Sequence, residues 1–339
     1  MGLGVGRRLR YLVDRARAFD RKAVWEIATR ASEHTWMPRP LIVLDMLWGA
    51  AFHEVAFQDY ADWDFHLLTR AERRTYMTHP KSDRLVLKVN QAEYRSIFRD
   101  KSEFNVRFGK YLGREWLDIR DATPEDLGAF VRRHGSFMAK VPDSLGGYGI
   151  EKRSGEGITD FDALRAELMA RRQFLVEQVI VQHPVMASLN PSSVNSLRMI
   201  SYLTDAGVVR ILGATLKAGA GGSVDNVSQG GMYTMLDEEG VARYGAFTAE
   251  SGAIHTVHPL TGVPIVGFRV PLFDQVLELV DKLGHEVPQI PYVGWDIAVT
   301  PDGPVVIEGN YNSGVFQLKP SVSGVRTGLR PLFKEVTGF

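Results

Sequence analysis

The order of polar and apolar positions in the first hundred residues is typical of helices. Thr69 and Glu72 are spaced as a capping box, in which each side chain bonds the backbone N–H of the other, ahead of a helix over 70–77. A further helix is predicted over 101–112, because a glycine, which is a good C-terminal cap, follows it. We therefore expect residues 1–98 to form a helical N-terminal region. No pattern of catalytic residues occurs before Lys101.

The segment from 120 to 182 alternates more regularly between helix and strand. A helix in its second half has apolar residues at Leu164, Leu168 and Met169, the spacing of one helix face. A glycine-rich stretch, SLGGYGIEKRSGEG, precedes that helix and is predicted to be a loop. After a first helix, the predicted order is strand 136–141, loop 144–157, helix 161–173 and strand 174–181.

After residue 196 the pattern changes to that of strands. The stretches LRMISYL and VVRILGATLKA flank a TDAG turn, and YVGWDIAVT and PVVIEGN flank PDG, so each pair predicts a β-hairpin. Between the hairpins a helix is predicted over 271–283, which Gly284 is expected to end. The chain is thus predicted to be an α+β protein in which antiparallel pairing dominates the last third.

The last hairpin carries the strongest chemical signal. If PDG forms a three-residue loop, Asp296 lies opposite Glu308, and the two side chains share one face at a separation of about 5 Å. Asn310 comes two residues later and points to the same face. Two carboxylates and an amide oxygen suit Mg²⁺, which prefers oxygen ligands. The alternative is an ordinary polar outer face of an antiparallel sheet.

The glycine-rich loop is a candidate phosphate-binding element. Gly146 and Gly147 allow backbone N–H groups to approach phosphate oxygens, and Lys140 on the preceding strand adds a positive charge. The alternative is a mobile hairpin loop without a ligand. The sequence contains neither the G-x-x-x-x-G-K-[ST] pattern of a P-loop nor a G-x-G-x-x-G dinucleotide pattern after a strand.

A third candidate is a pair of cations on the first hairpin. If the TDAG turn is a four-residue loop, Arg198 lies opposite Gly213 and shares a face with Lys217. Together with Asn195 in the preceding loop, they form a candidate anion-binding site. The alternative is a salt-bridged strand at the protein surface.

Composition narrows the class of protein. The 339 residues are 45% hydrophobic and 24% charged, the balance of a globular protein with a buried core. Lys+Arg and Asp+Glu both number 40, so no net positive field attracts nucleic acid. The absence of cysteine excludes disulfides, thiolate metal sites and a Cys nucleophile, and fits a cytoplasmic location. No apolar stretch reaches the ~20 residues of a membrane span, and the basic N-terminus lacks the apolar core of a secretory signal.

Taken together, these segments resemble the ATP-grasp superfamily, and within it the sugar-transfer-associated ATP-grasp proteins, which are often found near polysaccharide genes. The resemblance covers 101–339 and extends only weakly into the helical N-terminal region. The matching stretches are Lys101 with Phe104, AKVPDSLGGYGI, EQVIVQHP, LNPSSVNSLR, the VDN…GG loop, HPLTG and GWDIAVTPDGPVVIEGN.

The resemblance implies an ATP-grasp fold, in which two α+β subdomains clasp ATP and a glycine-rich loop closes over its phosphates. We expect a helical N-terminal region over 1–98, a lid subdomain over 99–180 and a C-terminal subdomain with the Mg²⁺ site over 181–339. The implied cofactors are ATP and Mg²⁺.

The resemblance also implies roles for individual residues that bind ATP. The lysines that bind phosphate are Lys101 and Lys140. The residues of the loop over the phosphates are Ser144, Gly146 and Gly147. The hinge residues beside the adenine are Glu177, Gln178, Val179 and Ile180. Gln182 is the candidate for the ribose, because the carboxylate usual after the hinge is missing.

The remaining implied roles concern the metal and the reacting groups. The metal ligands are Asp296, Glu308 and Asn310, with Glu308 between two ions. The residues that face the transferring phosphate and acyl group are Arg198 and Lys217. The candidate residues for substrate binding are Asn195, Asp225 and Asn226.

The implied reaction joins a carboxylate and an amine, both small molecules, into an amide through an acylphosphate. Charge neutralisation by Mg²⁺ and lysines, with exclusion of water, matters more for this chemistry than a histidine base. Two alternatives remain: a phosphotransferase that acts on a hydroxyl group, and an ATP-binding module without catalysis.

Overall fold

The computed structural model describes residues 21–32, 35–144, 146, 148–219, 230–248 and 252–339. The chain forms two compact units. One consists of Met1–Arg84 with Gln317–Glu335, and the other of Leu85–Phe316 with Val336–Phe339. The three-part division expected at residues 98 and 180 stays a prediction.

Within the described residues, helices predominate before residue 116 and strands predominate after residue 196. In chain order the helices are α1 (Arg21–Ser32), α2 (Arg39–His53), α3 (Phe57–Asp62), α4 (Arg70–Arg73), α5 (His79–Val89), α6 (Ser96–Arg99), α7 (Lys101–Phe108), α8 (Pro124–His134), α9 (Phe161–Ala170), α10 (Pro184–Leu189), α11 (Phe273–Glu286), α12 (Pro320–Ser323) and α13 (Arg330–Thr337). The strands are β1 (Trp116–Asp118), β2 (Ser136–Lys140), β3 (Ile150–Ser154), β4 (Leu175–Gln178), β5 (Leu197–Leu203), β6 (Val209–Ala218), β7 (Met232–Met235), β8 (Ala246–Thr248), β9 (Ile254–His255), β10 (Tyr292–Thr300) and β11 (Gly303–Asn310).

The first unit is helical and packs around aromatic side chains, among them the fully buried Tyr60, Trp63 and Phe65. The predicted capping box is present: the Glu72 N–H donates to Thr69 Oγ1, and the Thr69 N–H donates to Glu72 Oε2. These bonds satisfy backbone donors that a helix start leaves without intrahelical partners. The prediction of a helical N-terminal region is confirmed for the described residues.

A four-stranded antiparallel sheet, in the order β1-β4-β2-β3, belongs to the second unit. Helices α8 and α9 contribute Leu127, Val131 and Leu164 to its apolar core. The prediction of a loop over 144–157 was wrong in its second half, because residues 150–154 form β3, which pairs with β2. Gly149 turns the chain back with a φ of 69°, where a Cβ would lie 2.5 Å from Cγ2 of Val141.

A seven-stranded antiparallel sheet, in the order β11-β10-β5-β6-β7-β8-β9, also belongs to the second unit. Helix α11 covers it through Val276, Val280 and Leu283. The predicted helix stop at Gly284 was wrong: the glycine lies inside α11, where a Cβ would meet Val209 at 2.8 Å. Among the described residues, no helix combines the length and apolar character that a membrane crossing requires.

Candidate active site

Asp296 and Glu308 face each other across the β10–β11 hairpin, so the predicted pairing is confirmed. The prediction assumed a three-residue turn and a regular hairpin. Both assumptions were wrong, but the two errors cancel. Thr300 pairs with Gly303, which makes the turn one residue shorter than expected. Ile307 is an extra residue, a β-bulge beside the carboxylate pair, and it restores the register.

The charge of Asp296 is compensated by two cations on neighbouring strands. Arg198 lies opposite Asp296 on β5 and donates from Nε to Oδ1 at 2.7 Å and from Nη2 to Oδ2 at 2.9 Å. Lys217 Nζ on β6 lies 3.1 Å from Oδ1. Burial by itself raises the pKa of Asp296, but the charges of Arg198 and Lys217 outweigh burial and hold the pKa well below its ordinary value. Asp296 is therefore ionised and already paired.

The predicted register of the first hairpin needs a correction. Arg198 pairs with Thr215 and not with Gly213, because the turn is one residue longer than expected and β6 contains a bulge at Leu212. Thr215 and Lys217 are two residues apart on β6, so they share one face. Arg198 and Lys217 therefore share one face, as predicted. The residue opposite Arg198 is two positions from Lys217 along β6, and not four as expected.

Glu308 and Asn310 extend the polar face beside Asp296. Both are half-buried, and Asn310 Nδ2 donates to Glu308 Oε1 and to the carbonyl of Gly294, each at 3.4 Å. Burial lowers the pKa of Lys101, and the charge of Glu308 is the largest influence that opposes it, which places the two groups within electrostatic reach.

The donor set at this hairpin is two carboxylates and one amide. Within the ranges that the structure describes, no group of three His, Cys, Asp or Glu side chains could hold a metal ion. Asn310 carries a side-chain oxygen two residues from Glu308 on β11. Hard oxygen donors of this kind fit Mg²⁺, which retains several waters and shares phosphate oxygens. The residues present are therefore compatible with the ion that the resemblance implies.

A second buried carboxylate, Glu177 on β4, is enclosed by partners that the sequence did not indicate. Its Oε1 accepts from Asn105 Nδ2 at 2.7 Å and Arg114 Nη2 at 3.2 Å, and its Oε2 accepts from Arg114 Nε at 2.9 Å and from Lys140 Nζ. Burial by itself raises the pKa of Glu177, but the charges of Arg114 and Lys140 hold it well below its ordinary value. Asn105 and Arg114 lie 72 and 63 residues from Glu177 along the chain, so no local spacing could have revealed them.

Lys101 lies at the base of the glycine-rich loop. It is the first residue of α7, and its Nζ donates to the carbonyl of Ser144. The Ser144 hydroxyl in turn donates to the carbonyl of Val141 at 2.9 Å. Gly146 is exposed and has a φ of 67°, a conformation that suits glycine. Three predicted site residues lie outside the described part of the chain: Gly147, Asp225 and Asn226.

The predicted hinge follows Glu177 at the end of β4. Gln178 is tied to Glu115 in both directions, because the Gln178 N–H donates to the Glu115 carbonyl at 2.9 Å and Gln178 Oε1 accepts from the Glu115 N–H at 3.1 Å. Val179 and Ile180 are half-buried and belong to no helix or strand. The contact of their backbone with adenine stays a prediction.

The side-chain amide of Gln182 is used by the loop that follows α10. Its Nε2 donates to the carbonyls of Asn190 at 3.1 Å and Ser193 at 2.7 Å. Its Oε1 accepts from the Asn195 N–H at 3.0 Å and from Asn195 Nδ2 at 3.1 Å. Both donors and both acceptor positions of the amide are then engaged. A ribose could therefore bond Gln182 only by displacing these partners, and its role as a ribose ligand stays a prediction. The fully buried Asn195 also donates from Nδ2 to the carbonyls of Met186 at 2.8 Å and Asn190 at 2.9 Å.

Comparison with known protein families identifies a family that this chain matches. A family model described as sugar-transfer associated ATP-grasp matches residues 162–334, just over half of the chain. This segment contains β4, the cations of the first hairpin and the whole β10–β11 hairpin. A search of curated proteins finds no match.

Several solved structures are similar at low identity. The ATP-grasp ligase PsnB, complexed with a precursor variant, Mg and ADP, is 13% identical, with 74% of this chain and 61% of that chain covered and a TM-score of 0.41. D-alanyl-alanine synthetase A from Vibrio cholerae is 14% identical, with 74% and 67% covered and a TM-score of 0.42. The ADP complex of purK, N5-carboxyaminoimidazole ribonucleotide synthetase, is 10% identical, with 64% and 45% covered and a TM-score of 0.39. The match therefore covers less than two thirds of the PsnB chain in that complex and of the purK chain.

The family match and the observed architecture agree with each other. The matched segment begins in α9, ends in α13 and contains the strands on which Asp296, Arg198 and Glu177 lie. The chain belongs to the sugar-transfer associated ATP-grasp family, and its α+β architecture with a helical N-terminal region is an ATP-grasp fold.

Proposed function

We propose that this protein is an ATP- and Mg²⁺-dependent ligase that joins a carboxylate to an amine through an acylphosphate. The observation that carries the proposal is the shared sheet face of Asp296, Glu308 and Asn310 with Arg198 and Lys217. Phosphoryl transfer to a carboxylate brings two anions together, the acceptor and the γ-phosphate. A site with oxygen ligands for Mg²⁺ next to cationic side chains can neutralise their charge. A cytoplasmic location and small-molecule substrates are part of this proposal.

Two groups of residues would bind the nucleotide. Lys101 and Lys140 would bind phosphate oxygens, and the glycine-rich loop would close over them. Lys140 could do so while it keeps its bond to Glu177, because an ammonium group has three donors. The backbone of Val179 and Ile180 would bond the adenine edge. Mg²⁺, when held by the carboxylates of the last hairpin, supplies positive charge to the phosphates.

The proposed reaction has two steps. A carboxylate oxygen of the first substrate attacks the γ-phosphorus of ATP, and the bond from this phosphorus to the ADP oxygen breaks. The amine nitrogen then attacks the acyl carbon, the carbon–oxygen bond breaks with release of phosphate, and the nitrogen loses a proton to solvent. Arg198 and Lys217 would neutralise the carboxylate and the transferring phosphoryl group, and a closed loop would keep water from the acylphosphate.

An oxygen-labelling experiment tests this proposal. The protein is incubated with ATP, Mg²⁺ and a panel of carboxylates labelled with oxygen-18, each paired with a panel of amines, and ADP release is recorded. The proposal predicts ADP release that needs both partners and one labelled oxygen in the released phosphate. The matched control is Asp302→Asn at the exposed tip of the same hairpin, which should retain activity.

Two results would contradict the proposal. Transfer of phosphate to a hydroxyl compound, without label in free phosphate, identifies a phosphotransferase. Tight ATP binding with no ADP formed for any acceptor identifies a binding module.

A further inference from the structure

The β-bulge at Ile307 decides which face of the sheet Glu308 occupies. From the turn to the bulge, the pairs on β10 and β11 run in one register, and beyond it they shift by one residue. Without the shift, Glu308 would lie opposite Trp295, which is 1% exposed and belongs to the apolar core. Because paired residues share a face, the carboxylate would then enter that core at a high desolvation cost. The extra residue places Glu308 beside Asp296.

Arg114 binds the backbone of the bulge directly. Its Nη1 donates to the carbonyl of Val306 at 2.8 Å, and its Nη2 donates to the carbonyl of Ile307 at 3.1 Å. A bulge leaves such groups outside the regular ladder of the sheet, so a buried bulge needs donors from elsewhere. Arg114 supplies two of them next to Glu308.

The other donors of Arg114 are also engaged. Nε and Nη2 donate to the carboxylate of Glu177, and Nη1 donates to the carbonyl of Leu112 at 3.2 Å. Five hydrogen bonds thus use the five N–H groups of a guanidinium, and the side chain is 2% exposed. One residue therefore connects the Glu177–Lys140 pair on the four-stranded sheet to the bulge on the seven-stranded sheet.

The residue before Arg114 brings the chain close enough to reach the bulge. Gly113 has a φ of 56°, and a Cβ at this position would lie 2.3 Å from Cγ1 of Val305 on β11. Only glycine accepts both this conformation and this distance without rearrangement. The backbone contact and the guanidinium bonds therefore support the same short stretch of β11.

We infer that Arg114 is a positioning residue that holds the Ile307 bulge and thereby keeps Glu308 beside Asp296. The inference rests on the proposed function, since it treats Glu308 as a ligand of Mg²⁺. It assigns a role to a buried residue that contacts neither carboxylate of the last hairpin. Lysine cannot replace it, because an ammonium is a single point with three donors and cannot reach Glu177 and both carbonyls together.

The test compares Arg114→Lys with Arg120→Lys, a matched control at an exposed arginine that pairs with Asp118. Amide hydrogen exchange of the ligand-free protein is followed over residues 303–310. Binding of a non-hydrolysable ATP analogue is measured by calorimetry across a range of Mg²⁺ concentrations.

For Arg114→Lys we expect exchange over 303–310 to be at least about tenfold faster than in the unmodified protein, because the bulge opens by local unfolding. We also expect the Mg²⁺ concentration for half-maximal analogue binding to rise about tenfold, while metal-free affinity changes little. A residue that served stability alone would shift melting without this dependence on Mg²⁺. The inference is overturned if Arg114→Lys keeps both the exchange rate and the Mg²⁺ dependence of the control.

Two further outcomes are kept apart. If the unmodified protein binds the analogue without any effect of Mg²⁺, the proposed function fails, while exchange over 303–310 still reports on Arg114. If Arg114→Lys does not fold, the triple variant Arg114→Met, Lys140→Met and Glu177→Met replaces all three buried charges by apolar side chains, an exchange that proteins tolerate. Slow exchange over 303–310 in that variant would overturn the inference.

Discussion

Glu177 and Asp296 are two buried carboxylates with nearly the same set of partners. Each is bound by one arginine and one lysine, and a neutral polar side chain completes each cluster. Around Glu177 these are Arg114, Lys140 and Asn105. Around Asp296 they are Arg198, Lys217 and Ser313, where Ser313 accepts a hydrogen bond from Arg198 and does not bond the carboxylate itself.

The two clusters differ in what remains available to a ligand. Each oxygen of Glu177 accepts two hydrogen bonds. The remaining donors of Arg114 bond backbone carbonyls. Among the described residues, Asp296 Oδ2 accepts one bond, from Arg198. The Glu177 cluster is therefore saturated and stabilises the fold, whereas the Asp296 cluster has a free acceptor position and lies beside Glu308. A list of residue types alone would not distinguish them.

The largest expected effect is the loss of stability in Glu177→Gln. The substitution leaves two buried cations without a counter-charge, so we expect the free energy of unfolding to fall by about 3–5 kcal/mol. Urea denaturation measures this change. The matched control is Glu115→Gln, since Glu115 is half-exposed and pairs with Arg133 at the surface. A Glu177→Gln protein as stable as the control would show that the saturated cluster is not structural.

The next effect concerns activity and not stability. Glu308→Gln should lower turnover by about a hundredfold or more, ~2.7 kcal/mol in the barrier, because one negative charge that would hold Mg²⁺ is lost. Glu308 bonds Asn310 at 3.4 Å, a weak contact, so the melting temperature without metal should not fall. Steady-state kinetics and calorimetric melting separate the two quantities. A drop in melting temperature with unchanged turnover would show that Glu308 stabilises the fold and does not hold Mg²⁺.

The same contrast shows how far sequence reasoning reaches. The pairing of Asp296 with Glu308 and the shared face of Arg198 and Lys217 could be predicted, because strand alternation is local and turns are short. The bulge at Ile307 could not, since a hydrophobic residue in a strand carries no mark of being extra.

The Glu177 cluster was beyond the reach of the sequence for a different reason. Its arginine and its asparagine come from a loop and a helix far from β4 in the chain, and only the packing of the second unit brings them together. For Gln182 the residue type was compatible with a ribose, but the fold uses both ends of its amide in a loop. Polar side chains serve buried backbone groups as readily as ligands, and spacing does not tell which.

Acid should unfold the protein partly through the saturated cluster. The pKa of Glu177 is held below its ordinary value of 4.5, so the unfolded chain binds a proton there that the folded protein does not. The stabilising contribution is complete above about pH 4.5 and is lost as the pH falls further, by at most about 1.4 kcal/mol per pH unit for one proton. Unfolding free energies between pH 5 and pH 3 should therefore decline less steeply in Glu177→Gln than in the unmodified protein. Equal slopes would mean that Glu177 does not remain ionised in the folded state.

The smallest effect separates the neutral members of the two clusters. Asn105→Ala removes the 2.7 Å bond to Glu177 and should cost about 1.5 kcal/mol of stability, the value of a hydrogen bond to a charged group. Ser313→Ala removes a longer bond, 3.3 Å from Arg198 Nη1, and should cost about 0.5 kcal/mol. The order reverses for catalysis: loss of Ser313 removes one contact of Arg198 and should change turnover, whereas Asn105→Ala should leave turnover close to normal in the folded protein. Urea unfolding and ADP release measured on both variants test the pair. If Asn105→Ala lowered turnover more than Ser313→Ala, the separation of a structural from a reactive cluster would be wrong.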